Sequence, residues 1–327
     1  MYKLESLQPI KMEEITFAEL GMKESDIEEI LRKNIDMVCS DEESMLVVGQ
    51  QVKNVKNGRS DLTAVDNEGN LVLIELKRDK KDIETRSEAF EFQAIRYAAS
   101  CATIESTDEL ISNVFTPYIE KHRDEFGKKE LSSSEIANRV FYDFKDRNNI
   151  VNFNINQRII LVASEFDEQT LSAVAWLNSN KVDISCYKIV PYKMQENVFI
   201  DVKRVLPVME YSDFYVDIAS PKSVSKDKKR DITRRVLPKI DAMLEWGVVK
   251  EGDIIVAKDT EEEAVLLKDG NVKTKDEIIL SLQQWLKSVY GWSSVQTYAF
   301  ALQKESGKLL CDLREEYMQS DAYEKRE

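Results

Sequence analysis

Three charged side chains that could together bind a divalent cation and act on a phosphate group lie close in the sequence. Asp61 precedes one short apolar run, and Glu75 and Lys77 stand two positions apart at the end of the next. Carboxylate oxygens are ligands that Mg²⁺ prefers, and a neighbouring ammonium group can stabilise negative charge on a phosphate. Because unpaired charge is costly to bury, two alternatives stay open. The second run ends in solvent at Glu75, or Glu75 and Lys77 pair with each other.

The same segment predicts a β-hairpin that would bring these residues together. Residues 62–65 and 71–76 are apolar runs of strand type, and the turn-forming cluster 66–70 between them contains Gly69. Because alternate residues of a strand share a face, Glu75 and Lys77 lie on one face of the second strand. Asp61, on the paired strand, is expected close enough to Glu75 to share one cation.

An Asp followed on the next strand by acid-x-Lys resembles the active-site motif of the PD-(D/E)xK nuclease superfamily. The match consists of Arg-Ser-Asp-Leu at 59–62 and Ile-Glu-Leu-Lys-Arg at 74–78, with Ser60 where the family name has Pro. It is closest to the branch that contains mismatch and restriction-type endonucleases. The resemblance implies an α/β fold with a restriction-endonuclease-like mixed sheet flanked by helices.

The resemblance also implies roles for these residues. Asp61, Glu75 and the carbonyl oxygen of Leu76 would bind Mg²⁺ or Mn²⁺, and the metal would activate the scissile phosphate and an attacking water. Lys77 would orient that water or stabilise the extra negative charge of the pentacovalent state. Two acids do not fix the number of metal ions.

A helix is expected directly after the hairpin, from residue 81 to about 101, because the segment lacks Gly and Pro and has apolar residues at helical spacing. Gln93 and Tyr97 are four positions apart and share one face. The resemblance implies that Gln93 touches the metal-bound water or the DNA. Alternatively, both residues simply pack against the sheet.

A second helix is predicted upstream, over 26–34, with Ser25 and Glu28 in a capping-box pattern. Its Glu29 matches an acid that some relatives place near the metal. Acids are common near helix starts, where the helix dipole favours them. An ordinary surface carboxylate is therefore the preferred interpretation of Glu29.

Composition limits the classes of protein and of chemistry. The chain of 327 residues is expected to contain about two domains. It has no apolar run of membrane-spanning length and no apolar signal core at its start, which predicts a cytoplasmic protein without a membrane partner. The cysteines are scattered and predict free, mostly buried thiols. His122, the single histidine, lies in a charged stretch and is predicted to be solvated, which disfavours Ser-His-Asp and Cys-His catalysis. The cysteines are Cys39, Cys101, Cys186 and Cys311.

A net charge of −14 disfavours a nucleic-acid partner for the chain as a whole. Basic residues nevertheless cluster locally, and DNA responds to a local patch. A first group flanks the motif and comprises Arg59, Arg78, Lys80 and Lys81. A second group comprises Lys222, Lys226, Lys228, Lys229, Arg230, Arg234 and Arg235. Two interpretations of the second group are open, a DNA contact and a solvated linker.

The order of predicted elements indicates a first domain over 1–210, a charged linker over 211–230 and a small α+β domain over 231–327. In the first domain, strands at 158–163 and 182–190 enclose a helix at 168–178, and a further helix is predicted at 134–147. This strand-helix-strand order would extend the hairpin into a mixed α/β sheet.

The C-terminal segment predicts a helix over 232–246 that Pro238 could start or kink, then short strands and a helix over 281–288. Gly252-Asp253, Asp269-Gly270 and Gly291-Trp292 in this order resemble the RAMA domain. That domain accompanies restriction enzymes and DNA adenine methylases and is thought to read modified DNA. Trp292 and Tyr298 are then candidates to contact a base. The alternative is that Trp285, Tyr290 and Trp292 are simply core residues. For Trp285 the core interpretation is preferred.

Two functions of different classes follow. The first is a metal-dependent DNA endonuclease with a C-terminal DNA-reading domain, acting in restriction or phage defence, with a homodimer left open. The second is a nuclease-fold protein that binds nucleic acid or a protein partner without cutting. The intact Asp61, Glu75 and Lys77 set favours the first, and the acidic net charge leaves room for the second.

Overall fold

The computed structural model describes residues 2–5, 7–54, 58–79, 89–127, 130–207 and 237–320. These residues divide into two compact units. The first contains residues 2–38 and 46–207, and the second contains residues 39–45 and 237–320. The short segment 39–45 therefore belongs to the second unit although it lies early in the chain. The predicted linker over 211–230 falls outside the described residues.

The first unit contains a mixed sheet and a separate two-stranded sheet. The order across the mixed sheet is β3-β8-β7-β6-β5-β4, and β9 pairs with β8, while β1 pairs with β2. The strands are β1 (Tyr2–Glu5), β2 (Gln8–Lys11), β3 (Glu13–Glu14), β4 (Met45–Lys53), β5 (Arg59–Asp66), β6 (Leu71–Lys77), β7 (Arg158–Ala163), β8 (Ile184–Met194) and β9 (Asn197–Leu206).

The predicted hairpin is confirmed, because β5 and β6 pair antiparallel with Leu62 opposite Ile74. Gly69 closes the turn with φ of 87°, a conformation that costs glycine little. β6, β7 and β8 then run parallel to one another, and β9 returns antiparallel to β8. The sheet is therefore mixed, and the first unit belongs to the α/β class. Its central strand β7 is buried along its whole length, as its apolar sequence predicts.

Helices flank this sheet. The helical elements are α1 (Glu24–Lys33), α2 (Phe90–Cys101), α3 (Thr107–Leu110), a π-helical turn (Ile111–Phe115), α4 (Thr116–Lys121), α5 (Ser133–Arg147), α6 (Glu168–Ser179) and 3₁₀ turns at Ile35–Val38 and Arg123–Phe126. Phe90 and Ala94 of α2 and Val174 of α6 form one core with Leu73 and Leu161 of the sheet. The face of β6 that carries Leu73 also carries Glu75 and Lys77, so the apolar face continues into the charged motif.

One predicted helix start is corrected, and another predicted helix is interrupted. α1 begins at Glu24, and its N-cap residue is Lys23, whose backbone N–H donates to Asp26 Oδ2 at 2.7 Å. The predicted capping pair of Ser25 and Glu28 therefore lies inside the helix. The described helix α2 begins at Phe90 after Ala89, whose backbone is extended, so the predicted helix over 81–101 does not run unbroken through residue 89. The residues from 80 to 88 lie outside the described part of the chain.

The second unit is a small α+β unit built on an antiparallel sheet of order β13-β12-β11-β10-β14-β15. Its strands are β10 (Ile254–Ala257), β11 (Glu263–Leu266), β12 (Asn271–Thr274), β13 (Ile279–Ser281), β14 (Ala301–Gln303) and β15 (Lys308–Leu309). Its helices are α7 (Ile240–Glu245), α8 (Leu282–Tyr290) and α9 (Leu310–Met318), with a 3₁₀ turn at Thr297–Ala299. Residues 232–236 of the predicted helix over 232–246 lie outside the described part of the chain. In the described part, residues 237–239 are not helical and α7 begins at Ile240, after Pro238, whose ring and missing N–H oppose a helix interior.

Trp285 is 3% exposed and lies in the core of the second unit with Leu282 and Leu286, which confirms the core interpretation. Its helix α8 begins with a capping box in which Ser281 and Gln284 exchange side-chain to backbone bonds. The helix ends at Gly291 in the left-handed conformation. Across the described residues, no helix has the length and apolarity needed to cross a bilayer.

Candidate functional site

The two acids of the motif lie together at the open end of the β5–β6 hairpin. Glu75 is fully buried and Asp61 is 9% exposed. The backbone N–H of Asp61 donates to Glu75 Oε1 at 3.3 Å, and the backbone N–H of Leu76 donates to Asp61 Oδ2 at 2.9 Å. Both carboxylates are therefore held by the ends of the two strands, and neither projects freely into solvent.

Lys77 lies beside this pair. Its Nζ atom is 3.3 Å from Glu24 Oε1, and its side chain is 15% exposed. The same ammonium group lies 5.8 Å from the centre of the Phe90 ring. Burial raises the pKa of both Asp61 and Glu75, and the positive charge of Lys77 opposes that rise. The ion pair of Lys77 at this site is thus with Glu24, an acid on α1 that the motif did not indicate.

Burial dominates the electrostatics of the two acids. Loss of solvation raises the pKa of Glu75, and the negative charge of Asp61 raises it further. The pKa of Asp61 is raised as well, chiefly by burial and against the hydrogen bond from Leu76. Two adjacent buried carboxyl groups resist carrying two negative charges. A cation between them would relieve that cost.

Two glutamines contact the acids. Gln93 Nε2 donates to Glu75 Oε2 at 3.3 Å, so α2 directs Gln93 at the site as the motif predicts. Gln51 Nε2 donates to Asp61 Oδ1 at 3.3 Å and also to the carboxylate of Glu28. Gln51 has a φ of 57°, a left-handed conformation that is uncommon for a residue with a side chain. Such strain is frequent at functional sites.

Besides Glu24, α1 contributes Glu28 to the site, one residue before the acid that the family match selects. Glu28 is 3% exposed, and burial together with the charge of Asp61 raises its pKa. Glu29 instead bonds Arg32 at 2.7 Å and Lys33 at 3.1 Å, and the Arg32 bond lowers the pKa of Glu29 to about 2. This position outside the site agrees with the preferred interpretation of Glu29 as an ordinary surface carboxylate, although Glu29 also forms ion pairs.

Most of the residues that contact Asp61 and Glu75 line a cleft of about 880 Å³, whereas Glu75 itself is fully buried and is not part of the lining. Its lining includes the acids Glu24, Glu28 and Asp61, the bases Lys53, Arg59, Lys77 and Lys121, and the helix residues Gln93 and Tyr97. Three of the four bases, Lys53, Arg59 and Lys121, are exposed. The cleft therefore joins a buried acidic floor to a basic rim, which is an arrangement suited to a phosphate-bearing ligand with a bridging cation.

The other predicted DNA-contacting residues occupy different positions. Arg78 is not part of the cleft lining, since its Nε atom lies 3.1 Å from Asp79 Oδ2 and its Nη1 donates to the carbonyl of Met22. Arg78 directly follows β6, which ends at Lys77, and lies in a bend. Lys80, Lys81, Lys228, Lys229 and Arg230 lie outside the described residues.

The donors at the floor fit a hard divalent cation. Asp61 and Glu75 provide carboxylate oxygens, and oxygen is the donor that Mg²⁺ and Mn²⁺ prefer. The N–H of Leu76 points towards β5, and the carbonyl of the same strand residue points to the same side. Within the described residues, no group of three or more His, Cys, Asp or Glu side chains has metal-binding geometry. Any metal here would therefore rely on two acids, a backbone carbonyl and other oxygen ligands.

The structure places His122 differently from the sequence-based prediction. It is half-buried and packs on Tyr118 with ring centres 4.8 Å apart, and its Nε2 lies 2.8 Å from Gln50 Oε1. Burial lowers its pKa, and the nearby Arg32 lowers it further. The prediction of a solvated histidine is wrong, because the charged sequence around His122 did not reveal the aromatic residue beneath it. Among the cysteines, all are free as predicted, but only Cys186 is fully buried.

In the second unit the candidate aromatic residues are packed against each other. Trp292 stacks on Tyr290 with ring centres 4.3 Å apart and meets the Phe300 ring edge-on. Tyr298 is 2% exposed, and its hydroxyl oxygen accepts a bond from the Ile240 N–H at 2.7 Å. Tyr298 is therefore a core residue, and its candidacy as a base contact is wrong. Trp292 is only partly buried, so part of its surface is accessible to solvent.

Comparisons with known proteins add no family assignment. A scan of the sequence against protein-family models gives no match, and a search of curated proteins gives no significant match. The functional argument therefore depends on the side chains at the floor and rim of the cleft.

Proposed function

We propose that the protein is a Mg²⁺- or Mn²⁺-dependent DNA endonuclease of the PD-(D/E)xK type, with a restriction-endonuclease-like fold in its first unit. One observation carries the proposal. Two buried carboxylates, Asp61 and Glu75, meet at the end of a hairpin beneath a cleft that also contains Lys77. Burying two charged carboxylates is unfavourable unless a proton or a cation neutralises them, and the cleft would give a cation access to Asp61.

The chain itself would orient the reacting groups. Asp61, Glu75 and the Leu76 carbonyl would hold the divalent cation, which when bound supplies Lewis-acid activation of the phosphate and of a water. Leu76 N–H fixes one oxygen of Asp61, and Gln93 fixes one oxygen of Glu75, which limits how the two carboxylates can turn. Lys77 would place a positive charge where negative charge develops on the phosphate.

DNA is the proposed substrate because the cleft has a basic rim despite the acidic chain. Lys53, Arg59 and Lys121 are exposed around it and can contact phosphates on either side of the cut. Phosphate contacts of this kind make binding weaken as salt rises. A role in restriction or phage defence would follow from such an activity.

The second unit is proposed to be a RAMA-like module that contacts DNA. The support is the order of its elements, with the Asp269-Gly270 turn between β11 and β12 and Gly291-Trp292 directly after α8. Trp292 is partly exposed, as is its stacking partner Tyr290. The core position of Tyr298 leaves Trp292 as the candidate base contact.

The alternative function is a nuclease-fold protein that binds nucleic acid or a partner without cutting. One observation favours it, namely that the ammonium group of Lys77 is paired with Glu24. A lysine neutralised in that way stabilises a phosphate less well than one that faces it alone.

Incubation with supercoiled plasmid distinguishes the two functions. The endonuclease should nick or linearise the plasmid with Mg²⁺ or Mn²⁺ and should stop when EDTA is added. Asp61→Asn keeps the shape of the side chain and should abolish the reaction. Plasmid that is retarded on a gel but never cut, with either metal, would support the non-catalytic alternative.

A further inference from the structure

Lys77 lies between two sets of carboxylates that compete for its ammonium group. On one side, Glu24 Oε1 is 3.3 Å from Nζ. On the other, Asp61 lines the same cleft as Lys77, and Glu75 lies two positions before Lys77 on the same face of β6. A flexible lysine stem allows the ammonium group to reach either set. Its position therefore depends on which carboxylates attract it more.

Glu24 is well placed to win this competition. It is the first residue of α1, and the helix start is fixed by the bond from the Lys23 N–H to Asp26. The Glu24 side chain is 39% exposed, so its charge retains part of its solvation. Asp61 and Glu75 are buried and lose that advantage. The exposed acid can thus remain charged without the cost that the floor acids bear.

An ammonium group that moved inward would occupy the place of a divalent cation. Between Asp61 and Glu75 it would neutralise the same carboxylate oxygens that a metal ion needs. Lys77 is only 15% exposed, but Glu24 is partly solvated, and partly solvated ion pairs contribute little to folding, so stability alone gives a weak reason for the Glu24–Lys77 pair. A role in placing Lys77 gives a stronger one.

We infer that Glu24 is a positioning residue that holds the ammonium group of Lys77 away from Asp61 and Glu75, and so keeps the space between them open to a divalent cation. The inference rests on the proposed function, since it concerns the same cation site. It assigns Glu24 no contact with the metal or the substrate. Without the Glu24 charge, the ammonium group of Lys77 would compete with the divalent cation for the carboxylates of Asp61 and Glu75.

The test is a direct titration of metal-free protein with Mn²⁺, in which electron paramagnetic resonance measures the concentration of the free ion. Glu24→Gln should raise the half-saturating Mn²⁺ concentration by roughly threefold to tenfold, the size expected for one exposed charge contact. Glu24→Asp should restore part of the affinity. Glu168→Gln is the matched control, because Glu168 is an exposed first residue of α6 outside the cleft lining, and it should bind like wild type.

A double variant separates positioning from simple loss of negative charge. In a Lys77→Met background no ammonium group can compete, so adding Glu24→Gln should leave Mn²⁺ affinity unchanged. An equal loss in both backgrounds would overturn the inference, because Glu24 would then act only through its charge. Plasmid cleavage by Glu24→Gln should recover at saturating Mg²⁺, since excess metal displaces the ammonium group.

The remaining outcomes are also decisive. Wild type and Glu24→Gln with equal Mn²⁺ affinity would overturn the positioning role while leaving the nuclease proposal in place. Equal Mn²⁺ affinity of the wild type and the Asp61→Asn variant would exclude the cation site itself, and with it both proposals.

Discussion

The backbone N–H of Leu76 donates a hydrogen bond to Asp61 Oδ2 at 2.9 Å, so the strand that carries Glu75 also orients its acidic neighbour. This bond crosses from β6 to β5 beyond the last paired residues, Leu62 and Ile74. The hairpin therefore does more than bring two acids together. It leaves one Asp61 oxygen fixed by the backbone and directs the other towards Gln51.

Removing the ammonium group of Lys77 should reduce catalysis and leave the fold intact. Lys77→Ala is expected to slow plasmid cleavage by about 10²–10³-fold, the usual loss when one group that stabilises the transition state is removed. Lys193→Ala is the control, since Lys193 is an exposed lysine of β8. The rates should be compared after thermal melts show equal stability. Equal cleavage by wild type and Lys77→Ala would remove Lys77 from the mechanism.

The metal-free protein should lose stability as pH rises, because the pKa of Glu75 is raised in the folded state. The stabilising contribution is complete below the ordinary value of 4.5 and declines as pH rises towards the folded value, since the unfolded chain releases this proton first. Glu75→Gln cannot ionise and should flatten this slope and stabilise the metal-free fold at neutral pH. Urea denaturation between pH 5 and 8 measures both effects. A slope that is the same in wild type and Glu75→Gln would contradict the assignment.

Two adjacent acids of α1 should behave differently on substitution. Glu28→Gln removes a buried charge beside Asp61 and is expected to alter Mn²⁺ binding and cleavage. Glu29→Gln should leave the site unchanged and cost about 1 kcal/mol or less, because its bond to Arg32 is partly solvated. Cleavage assays and melts on both variants check this. An unaffected Glu28→Gln together with an inactive Glu29→Gln would reverse the roles given to these residues.

The second unit is best tested with point variants in the intact chain. A truncation near Pro221 would strip residues 39–45 of their partners, since Met45 N–H donates to Ser294 Oγ at 2.8 Å and Arg314 pairs with Glu42. Trp292→Ala should weaken binding to duplex DNA, with a larger effect on methylated than on unmodified duplex if it contacts a modified base. Binding at two salt concentrations measures this. Unchanged affinity for both duplexes would exclude Trp292 as a base contact.

Trp285→Ala is the structural counterpart of that variant. Trp285 is buried in the core of the second unit, and its truncation should destabilise that unit by about 3–5 kcal/mol. Thermal or urea unfolding monitored by tryptophan fluorescence gives the value. A loss well below 1 kcal/mol would mean that the core does not depend on this side chain.

The hairpin and the motif could be predicted because both are local. The apolar runs on either side of Gly69 fix the register, and the two-residue period then places Glu75 and Lys77 on one face. Gln93 follows from helical spacing in the same way. In each case one short stretch of sequence contains the whole signal.

Other parts of the site depend on contacts between distant segments. Glu28 replaces Glu29 because one position on α1 turns the side chain by about 100°, and no local signal fixes how α1 faces the hairpin. Gln51 reaches Asp61 through a left-handed backbone that its sequence does not announce. The partner of Lys77, Glu24, lies 53 positions away. The prediction that Tyr298 contacts a base is wrong because burial, and not residue type, decides whether an aromatic side chain is accessible to a ligand.

The rate at which closed circular plasmid is nicked, measured across a Mg²⁺ titration, tests the central claim most directly. Wild type should show no nicking with EDTA and a saturable increase with Mg²⁺, and an Asp61→Asn, Glu75→Gln double variant of equal stability should remain inactive throughout. Nicking by the double variant at the wild-type rate, or nicking by wild type that EDTA does not stop, would contradict the account.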